Sequence, residues 1–415
     1  MYENTRSFAD LEDQRDPLRS YREKFHYPKN EKGENVIYFC GNSLGLQPKS
    51  VRSFIEKELA LWEKDGVLGQ HSRWEHFHER LTHLTAHIVG AKESEVVVMN
   101  ALTVNLHLLL VSFYQPNNKR NKIVIEKGAF PSDQYAIKSQ IKYHGFDPKD
   151  CLIEIEPKHD SKILETKDII DTILQVGDEL ATILFGGVNY YTGQAFDIKS
   201  ITETGKTVGA FVGFDLAHAA GNIDLNLHDW NVDFAAWCTY KYLCAGPGAP
   251  SGIFVNEKHH HWTGPRLAGW WGQNKQTRFD MMPDFDPIQT VEGWQISNAP
   301  VLGMAPLLAS MKIYDDVGMI AICDKSEKMT GYMEFLLEEN LSEINIITPN
   351  DPNQRGCQLS LVIPGGKAIF ESISQKGVVC DWREPDVIRV APHPLYNQYS
   401  EVYNFVQIIL HTILG

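Results

Sequence analysis

Short runs of apolar residues alternate with amphipathic stretches from about residue 95 to residue 240. Continuous apolar runs of this length are typical of strands that are buried on both faces of a parallel sheet. The stretches between them, such as 103–114 and 133–145, repeat apolar residues at helical spacing. The pattern predicts strands at 95–100, 122–126, 151–156, 181–187, 211–215 and 233–237, with 251–257 as a further strand.

Strands that alternate with helices predict an α/β fold in which helices flank a mostly parallel sheet. After Pro300 the pattern changes, because a helical stretch at 304–318 is followed by a compact β-α-β unit at 357–392. This change predicts a smaller C-terminal α+β domain. We expect an N-terminal segment at 1–50 that packs with the small domain, a large domain at 51–299 and the small domain at 300–415.

Composition and charge limit the classes of protein to consider. With 43% hydrophobic and 22% charged residues in a chain of 415, the composition is that of an ordinary globular protein. The net charge of −14 disfavours binding to nucleic acid, which depends on clustered Lys and Arg. The first residues lack the apolar stretch of a secretory signal, and no segment approaches the ~20 apolar residues of a membrane-spanning helix. Seven scattered cysteines without a CxxC pair suit reduced thiols, so we expect a cytoplasmic protein.

Several cofactor and metal motifs are missing from the sequence. Residues 205–207, GKT, lack the preceding glycine of a phosphate-binding P-loop, and no GxGxxG opens a βα unit. The histidines at 259–261 have no partners at zinc-ligand spacing, and His83 and His87 lack the glutamate of an HExxH motif. We therefore predict no metal site.

An aspartate and a lysine follow two of the predicted strands. Asp215 ends the strand at 211–215, and Lys241 follows the strand at 233–237, beside a loop rich in glycine and proline. Both side chains are expected at the carboxyl edge of the sheet, where α/β folds bind their ligands. Lysine condenses with the aldehyde of pyridoxal phosphate, and an aspartate partner keeps the pyridine nitrogen protonated. The pair therefore indicates a pyridoxal-phosphate site, with a buried Asp–Lys salt bridge as the alternative.

Two further features fit such a site. Thr103 follows the strand at 95–100 and is placed to cap a helix, whose free N–H groups and dipole favour a phosphate. Phe130 follows the strand at 122–126 and is placed to stack on a planar ring. An ordinary helix cap and a core phenylalanine are the alternatives for these two residues.

Nine strings spread over the chain carry a family resemblance: CGNSLGLQPKSV at 40–51, NALTVNLH, FPSDQYA, YTGQ at 191–194, VGFDLAHAAGN, TYKYL, GWWG at 269–272, ISNAP and RGCQLS. Together they resemble the kynureninase family over nearly the whole chain. The resemblance implies a homodimeric pyridoxal-phosphate enzyme of the aspartate aminotransferase fold, fold type I. Its implied reaction is the hydrolysis of L-kynurenine to anthranilate and L-alanine, in tryptophan catabolism and NAD biosynthesis.

The resemblance also implies roles for individual residues. Lys241, Tyr240 and Asp215 would be catalytic: Lys241 would link to the cofactor, Asp215 would contact its pyridine nitrogen, and Tyr240 would bind phosphate and relay protons. Arg389 would bind the substrate carboxylate, with a surface arginine at a domain edge as the alternative. The other implied cofactor-site residues are Leu102, Thr103, Phe130, Pro131, Ser132, Asp133, Gly186, His218 and, from the second subunit, Trp270 and Asn298.

Two positions depart from the animal members of the family. Gly186 stands where a serine often helps to hold the cofactor, and a backbone contact is expected to replace it. Val67 lies near the position of a histidine that is linked to preference for the 3-hydroxylated substrate, whereas Asn298 follows the animal pattern. The substrate is therefore expected to be L-kynurenine, 3-hydroxy-L-kynurenine or both.

Two other functions share parts of this pattern. A cysteine desulfurase or β-lyase would have the same fold, but a desulfurase needs a mobile reactive cysteine, and Cys357 precedes a predicted strand and is expected to be packed. An inactive scaffold protein is disfavoured because Lys241, Asp215, Thr103 and Arg389 are all present. Kynureninase activity is the preferred interpretation.

Overall fold

The computed structural model describes residues 2–158, 161–341 and 343–414. The helices are α1 (Arg6–Arg15), α2 (Val51–Asp65), α3 (Leu68–Ser72), α4 (Glu79–Val89), α5 (Leu102–Phe113), α6 (Pro131–Tyr143), α7 (Pro148–Cys151), α8 (Thr166–Val176), α9 (Ile198–Thr207), α10 (Val301–Val317), α11 (Met319–Asn340), α12 (Gly366–Gln375) and α13 (Tyr399–Leu414). The strands are β1 (Ile37–Tyr38), β2 (Val96–Met99), β3 (Lys122–Glu126), β4 (Leu152–Ile155), β5 (Leu180–Gly186), β6 (Phe211–Asp215), β7 (Phe234–Trp237), β8 (Ser251–Val255), β9 (Asn345–Ile346), β10 (Leu359–Val362), β11 (Val378–Val379), β12 (Asp381–Arg383) and β13 (Val387–Val390). Within these described ranges, no helix is both long enough and apolar enough to cross a bilayer.

The main sheet contains the seven strands that the apolar runs predict, in the order β2-β8-β7-β6-β5-β3-β4. β8 runs antiparallel to both of its neighbours, and the other pairings are parallel. The residues of β2, β7 and β8 are all buried, as expected of strands that are covered on both faces. The predicted α/β fold with a mostly parallel sheet is confirmed.

Three neighbouring strands, β3, β5 and β6, end at the same edge of the main sheet. Their last residues are Glu126, Gly186 and Asp215, and Gly186 pairs directly with Asp215. Parallel strands bring their carboxyl ends together, so residues that are far apart in the chain meet here. This edge positions the candidate site.

Two long helices begin at the same edge. α5 starts at Leu102, shortly after β2, and α6 starts at Pro131, shortly after β3. Proline suits this first position because its missing N–H has no partner within the helix. The two helices pack against each other, and buried apolar residues hold α5 on the sheet. Their N-termini therefore face the strand ends that carry the polar side chains.

A second sheet in the C-terminal region has the strand order β12-β13-β10-β9, and all of its pairings are antiparallel. The prediction of a compact β-α-β unit is wrong in one respect. β10, α12 and β12 form a split unit, because β13 lies between β10 and β12 and runs opposite to both. The three-residue connection from β12 to β13 makes a hairpin, which places β13 in the centre of this sheet.

The N-terminal segment contacts the C-terminal region in several places. α1 packs along α13, and the Asp13 carboxylate accepts a hydrogen bond from the backbone N–H of Tyr399 at 2.6 Å, which caps α13. Lys325 of α11 forms a buried ion pair with Asp16 at 2.7 Å, and β1 pairs with β11. These contacts support the proposal that residues 1–50 associate with the small domain, whose boundaries stay a prediction.

Candidate active site

A pocket of about 400 Å³ opens at the carboxyl edge of the main sheet and reaches β12 and β13 of the second sheet. It brings together most of the residues that sequence analysis predicted for the site. Those residues are Leu102, Thr103, Phe130, Ser132, Asp133, Gly186, Asp215, His218, Tyr240, Lys241 and Arg389. Pro131, Trp270 and Asn298 are not among the pocket-lining residues.

Lys241 lies in a turn that two hydrogen bonds stabilise. The Thr239 hydroxyl donates to the carbonyl of Pro250 at 2.6 Å, and the N–H of Ala245 donates to the carbonyl of Thr239 at 3.1 Å. The lysine amine lies 2.9 Å from Nε2 of His218. Burial lowers the pKa of His218 well below its usual range, so its neutral imidazole accepts a hydrogen bond from the amine. The resemblance assigned His218 to the cofactor site without naming a contact, and the structure places it against the amine of Lys241.

Asp215 is buried beneath the pocket and does not neutralise Lys241 directly. Its Oδ1 accepts a hydrogen bond from the N–H of Ala217 at 2.7 Å, while the lysine amine is held by His218. The alternative of a simple Asp215–Lys241 salt bridge is therefore wrong for this geometry. The two groups are held apart by separate partners, which leaves both free to contact one bound molecule.

Asp133, in the first turn of α6, adds a second carboxyl group beside Asp215. Burial, together with the neighbouring carboxyl group, raises the pKa of Asp133 well above its ordinary value, and burial also raises the pKa of Asp215. Oδ1 of Asp133 is buried without a hydrogen-bond partner. Two adjacent buried carboxyl groups, one of which has an oxygen without a hydrogen-bond partner, are suited to bind a cation such as a protonated ring nitrogen.

Sequence analysis missed a third carboxyl group in the pocket, that of Glu126. Its two oxygens accept from the N–H of Gly186 at 3.2 and 3.3 Å, and burial raises the pKa of Glu126 to about 8. A Cβ atom at position 186 would lie 3.0 Å from Oε1 of Glu126, so the glycine leaves room for this side chain. The N–H of Gly186 is thus already used within the protein. The rule that found Asp215 at a strand end would also have found Glu126.

Two hydroxyl groups join the N-termini of α5 and α6. Thr103 Oγ1 lies 2.8 Å from Ser132 Oγ. The expectation that Thr103 caps α5 is wrong, because the helix begins one residue earlier, at Leu102, and Ala101 holds the cap position. Thr103 therefore lies inside the first turn, and its hydroxyl is directed to the neighbouring helix. Two helix N-termini with free N–H groups and hydroxyl donors form a suitable site for a phosphate dianion.

Phe130 is 46% exposed and lines the pocket, so the alternative of a core phenylalanine is wrong. Its ring centre lies 5.9 Å from the amine of Lys241, and its edge contacts the ring of Tyr190 at a centroid distance of 5.3 Å. An aromatic face that is open toward the reactive amine is suited to stack on a planar ring linked to that amine.

Arg389 forms the wall of the pocket opposite the sheet edge and is 1% exposed, so the alternative of a surface arginine is wrong. It lies in the central strand β13. Its Nη1 donates to the carbonyl of Tyr190 at 2.7 Å, and its Nη2 donates to Asp381 at 2.5 Å. Burial lowers the pKa of Arg389, but guanidinium remains charged at neutral pH. Sequence analysis missed Asp381 and the pocket residues Asn42, Ser43, Tyr190 and Arg383.

Trp270 and Asn298 lie on another surface of the chain. Trp270 is 44% exposed, and its indole N–H donates to the carbonyl of Arg278 at 2.9 Å. Asn298 is exposed at a separate cavity, beside Trp62 and Trp74. Within one chain, neither residue completes the pocket around Lys241.

The pocket fits pyridoxal phosphate on its own geometry. An amine, a ring-sized aromatic face, two helix N-termini with hydroxyls and a buried carboxyl pair with one unpartnered oxygen surround a single space. These are the donor groups that an aldehyde, a planar ring, a phosphate and a pyridine nitrogen require.

Solved structures with the same fold include the cysteine desulfurase of Thermococcus onnurineus, which is 20% identical with a TM-score of 0.77 and covers 92% of this chain and 95% of its own. A C-DES variant with glycine covalently linked to its PLP cofactor has 14% identity and a TM-score of 0.77, with coverage of 94% and 98%. These similarities establish the fold. Fold and pocket together place the chain in the class of fold type I pyridoxal-phosphate enzymes.

Sequence relatives define the family within this class. The kynureninase of Flavobacterium psychrophilum is 52% identical over 100% of this chain and 99% of its own length. The kynureninase of Myxococcus xanthus is 50% identical, with coverage of 99% and 97%. The model of the kynureninase C-terminal domain matches residues 322–409. The chain belongs to the kynureninase family.

Proposed function

We propose that this chain hydrolyses L-kynurenine, 3-hydroxy-L-kynurenine or both to the corresponding anthranilate and L-alanine. The observation that carries the proposal is that the chain is about half identical to kynureninases over its full length and that Lys241, Asp215 and Arg389 line one pocket. The reaction belongs to tryptophan catabolism and to NAD biosynthesis.

Pyridoxal phosphate, when bound, supplies an aldehyde that links to an amine and a ring that accepts electrons from the reacting bonds. Lys241 would hold it covalently, and Asp215 with Asp133 would face the ring nitrogen. The first turns of α5 and α6 would hold the phosphate, through Leu102, Thr103 and Ser132. Phe130 would stack on the ring.

The chain's own residues move the protons. The amine of Lys241 is placed to remove a proton from the α carbon of the substrate as general base, with neutral His218 fixing its direction. Burial raises the pKa of Tyr240, so its hydroxyl keeps its proton at neutral pH and is a suitable donor to the three-carbon fragment that becomes alanine. Arg389 would bind the substrate carboxylate and so orient the α carbon.

A homodimer is part of the proposal. Trp270 and Asn298 lie outside the pocket of their own chain, so they are available to complete the pocket of a second copy. Large apolar side chains are exposed in the same part of the sequence, as expected of a surface that a partner covers. They include Leu267, Phe279, Met281, Met282 and Leu302.

The cysteine desulfurase alternative is disfavoured by the burial of Cys357. Cys357 is 1% exposed, and burial raises the pKa of its thiol far above the usual range. A thiol in this state is not reactive. All seven cysteines are free, which supports the further proposal of a cytoplasmic location with a reducing environment.

The direct test is incubation of the cofactor-loaded protein with each kynurenine in turn. We expect release of anthranilate from L-kynurenine or 3-hydroxyanthranilate from the hydroxylated substrate, together with equimolar alanine. The matched control is Lys241→Ala, which should release neither. Release of pyruvate or sulfide from cysteine or cystine, with no product from either kynurenine, would reject the proposal in favour of a lyase or desulfurase.

A further inference from the structure

Two arginines in the pocket wall share one carboxylate oxygen. Arg389 Nη2 lies 2.5 Å and Arg383 Nη2 lies 3.1 Å from Oδ2 of Asp381. The Ser43 hydroxyl donates to the same oxygen and also accepts from Arg389 Nη2 at 3.3 Å. Both arginines line the pocket, whereas Asp381 lies behind them. Asp381 is therefore the point at which three pocket side chains meet.

Strand geometry explains why these side chains converge. Asp381 and Arg383 are two residues apart on β12, so they project from the same face of the sheet. Asp381 also pairs directly with Arg389 of β13, which places the third side chain on that face. Trp382, between them, projects to the opposite face, where its ring lies 6.1 Å from that of Phe370.

We propose that Asp381 is a positioning residue that holds Arg389 and Arg383 as a two-arginine site and sets its capacity to one carboxylate. The inference rests on the proposed function, because the ligand is the carboxylate of an amino-acid substrate. It extends that function by adding Arg383 to the substrate site and by assigning Asp381 to the control of its charge.

The net charge of the cluster sets the number of carboxylates that it can neutralise. Two guanidinium groups and one carboxylate leave 2 − 1 = +1 on the cluster, so a single bound carboxylate neutralises it. A second carboxylate on the same ligand would find no further positive charge on this cluster, in a pocket that already contains the buried carboxyl groups of Glu126, Asp133 and Asp215. An unpaired buried charge is strongly disfavoured. The cluster thus selects monocarboxylates over dicarboxylates.

Unused donors are present in both arginines. Nε of Arg389 and Nε of Arg383 are buried, and the described residues offer neither of them a hydrogen-bond acceptor. Because the guanidinium group is planar, the contact of each Nη2 with Asp381 restricts the directions of the remaining donors, and for Arg389 the bond from Nη1 to the carbonyl of Tyr190 restricts them further. Asp381 acts on the ligand through this fixed orientation.

The test measures binding of propionate and succinate to the cofactor-loaded protein by calorimetry, so it does not depend on turnover. In Asp381→Asn the net charge of the cluster rises to +2, and we expect the ratio of succinate to propionate affinity to rise about tenfold or more. Asp386→Asn, in the connection between β12 and β13, removes the same charge outside the pocket lining and should leave the ratio as in the wild type. An unchanged ratio in Asp381→Asn would overturn the inference.

A second variant keeps the inference open to refutation if Asp381→Asn does not fold. Arg383→Gln lowers the net charge to zero, so propionate affinity should fall about tenfold. Propionate binding at wild-type affinity would exclude Arg383 from the site.

With kynurenine as substrate, Asp381→Asn should raise KM about tenfold while kcat changes less than about threefold. The variant no longer holds the arginines in the orientation that binds the substrate carboxylate, whereas the chemical step is little affected. A fall confined to kcat contradicts a positioning role. If the wild type binds propionate but turns over neither kynurenine, the proposed function fails and the carboxylate site stands.

Discussion

The amine of Lys241 donates a hydrogen bond to Nε2 of His218 across 2.9 Å, although the two residues belong to different strand-end segments. The neutral imidazole orients the amine without adding a competing positive charge, because burial keeps its pKa low. The same amine lies 5.9 Å from the ring centre of Phe130. We therefore expect this amine to be the group that reacts with the cofactor.

Lys241 should be the site of covalent cofactor attachment. The purified protein should be yellow, and borohydride reduction followed by peptide mapping should place the label on Lys241. Lys241→Ala should take up no reducible label, whereas Lys167→Ala, which changes an exposed lysine on α8, should be labelled like the wild type. Labelling of any other lysine in the wild type would show that the central assignment is wrong.

Replacement of Phe130 should weaken cofactor binding with little loss of stability, because its ring is open to the pocket and not packed in the core. Aromatic stacking contributes about 0.5 to 1.5 kcal/mol, so the dissociation constant of the cofactor should rise roughly 2- to 13-fold in Phe130→Ala. Equilibrium dialysis and urea unfolding measure the two effects. Phe113→Ala, which removes a buried ring, should instead cost about 3 to 5 kcal/mol of stability. Equal losses of stability in the two variants would contradict the prediction.

Removal of the Arg389 side chain should impair substrate use and spare the colour of the cofactor. Each hydrogen bond to a charged group contributes about 1.5 to 3 kcal/mol, so Arg389→Ala should lower kcat/KM by one to several powers of ten. Arg389→Lys should recover only part, because an ammonium group lacks the planar fork. Steady-state kinetics and the absorbance spectrum test both points. Near-normal turnover with loss of the cofactor would make Arg389 a cofactor residue.

Glu126 should make the stability of the protein fall as the pH rises from about 4.5 to about 8. Its pKa of about 8 in the folded chain lies above its ordinary value of 4.5, so the folded state binds the proton more tightly than the unfolded state. The resulting stabilisation is full below pH 4.5 and is lost as the pH rises through about 8. At roughly 1.4 kcal/mol per pKa unit, the effect amounts to several kcal/mol.

Urea unfolding at about pH 6 and about pH 9 should therefore show a smaller loss of stability for Glu126→Gln than for the wild type, because the amide does not ionise. Glu203→Gln, which changes an exposed glutamate on α9, should follow the wild-type curve. Identical pH dependence in wild type and Glu126→Gln would refute the prediction.

Subunit complementation should test the proposed dimer. Lys241→Ala and Asn298→Ala are each expected to be inactive alone, since each lacks one part of a shared site. A hybrid dimer contains one site with both residues intact, so random mixing of the subunits should restore about a quarter of the wild-type activity. Sedimentation should give a mass of two chains. A fully active species of 47.1 kDa, or no recovery in hybrids of confirmed mixed composition, would exclude a shared site.

Sequence pattern alone determined the elements that carry the site. Continuous apolar runs predicted the strands of the main sheet, and the rule that parallel strands meet at their carboxyl ends placed Asp215 and Lys241 together. The same strand-end pattern indicated Phe130, and the family resemblance added Ser132 and Arg389; all three residues line the pocket. These features are local, because a strand and the residue that follows it are encoded by adjacent positions.

Only the tertiary structure decided how these groups touch. His218 on Lys241, Glu126 beneath Gly186, and Asp381 between two arginines are contacts between residues that are distant in the chain or on neighbouring strands. The periodicity of one segment does not encode the register of another, so no single stretch predicts which side chains meet. Thr103 shows that sequence pattern did not fix the first residue of a helix. Helix α5 begins at Leu102, so Thr103 is not its cap, and its hydroxyl contacts Ser132 instead.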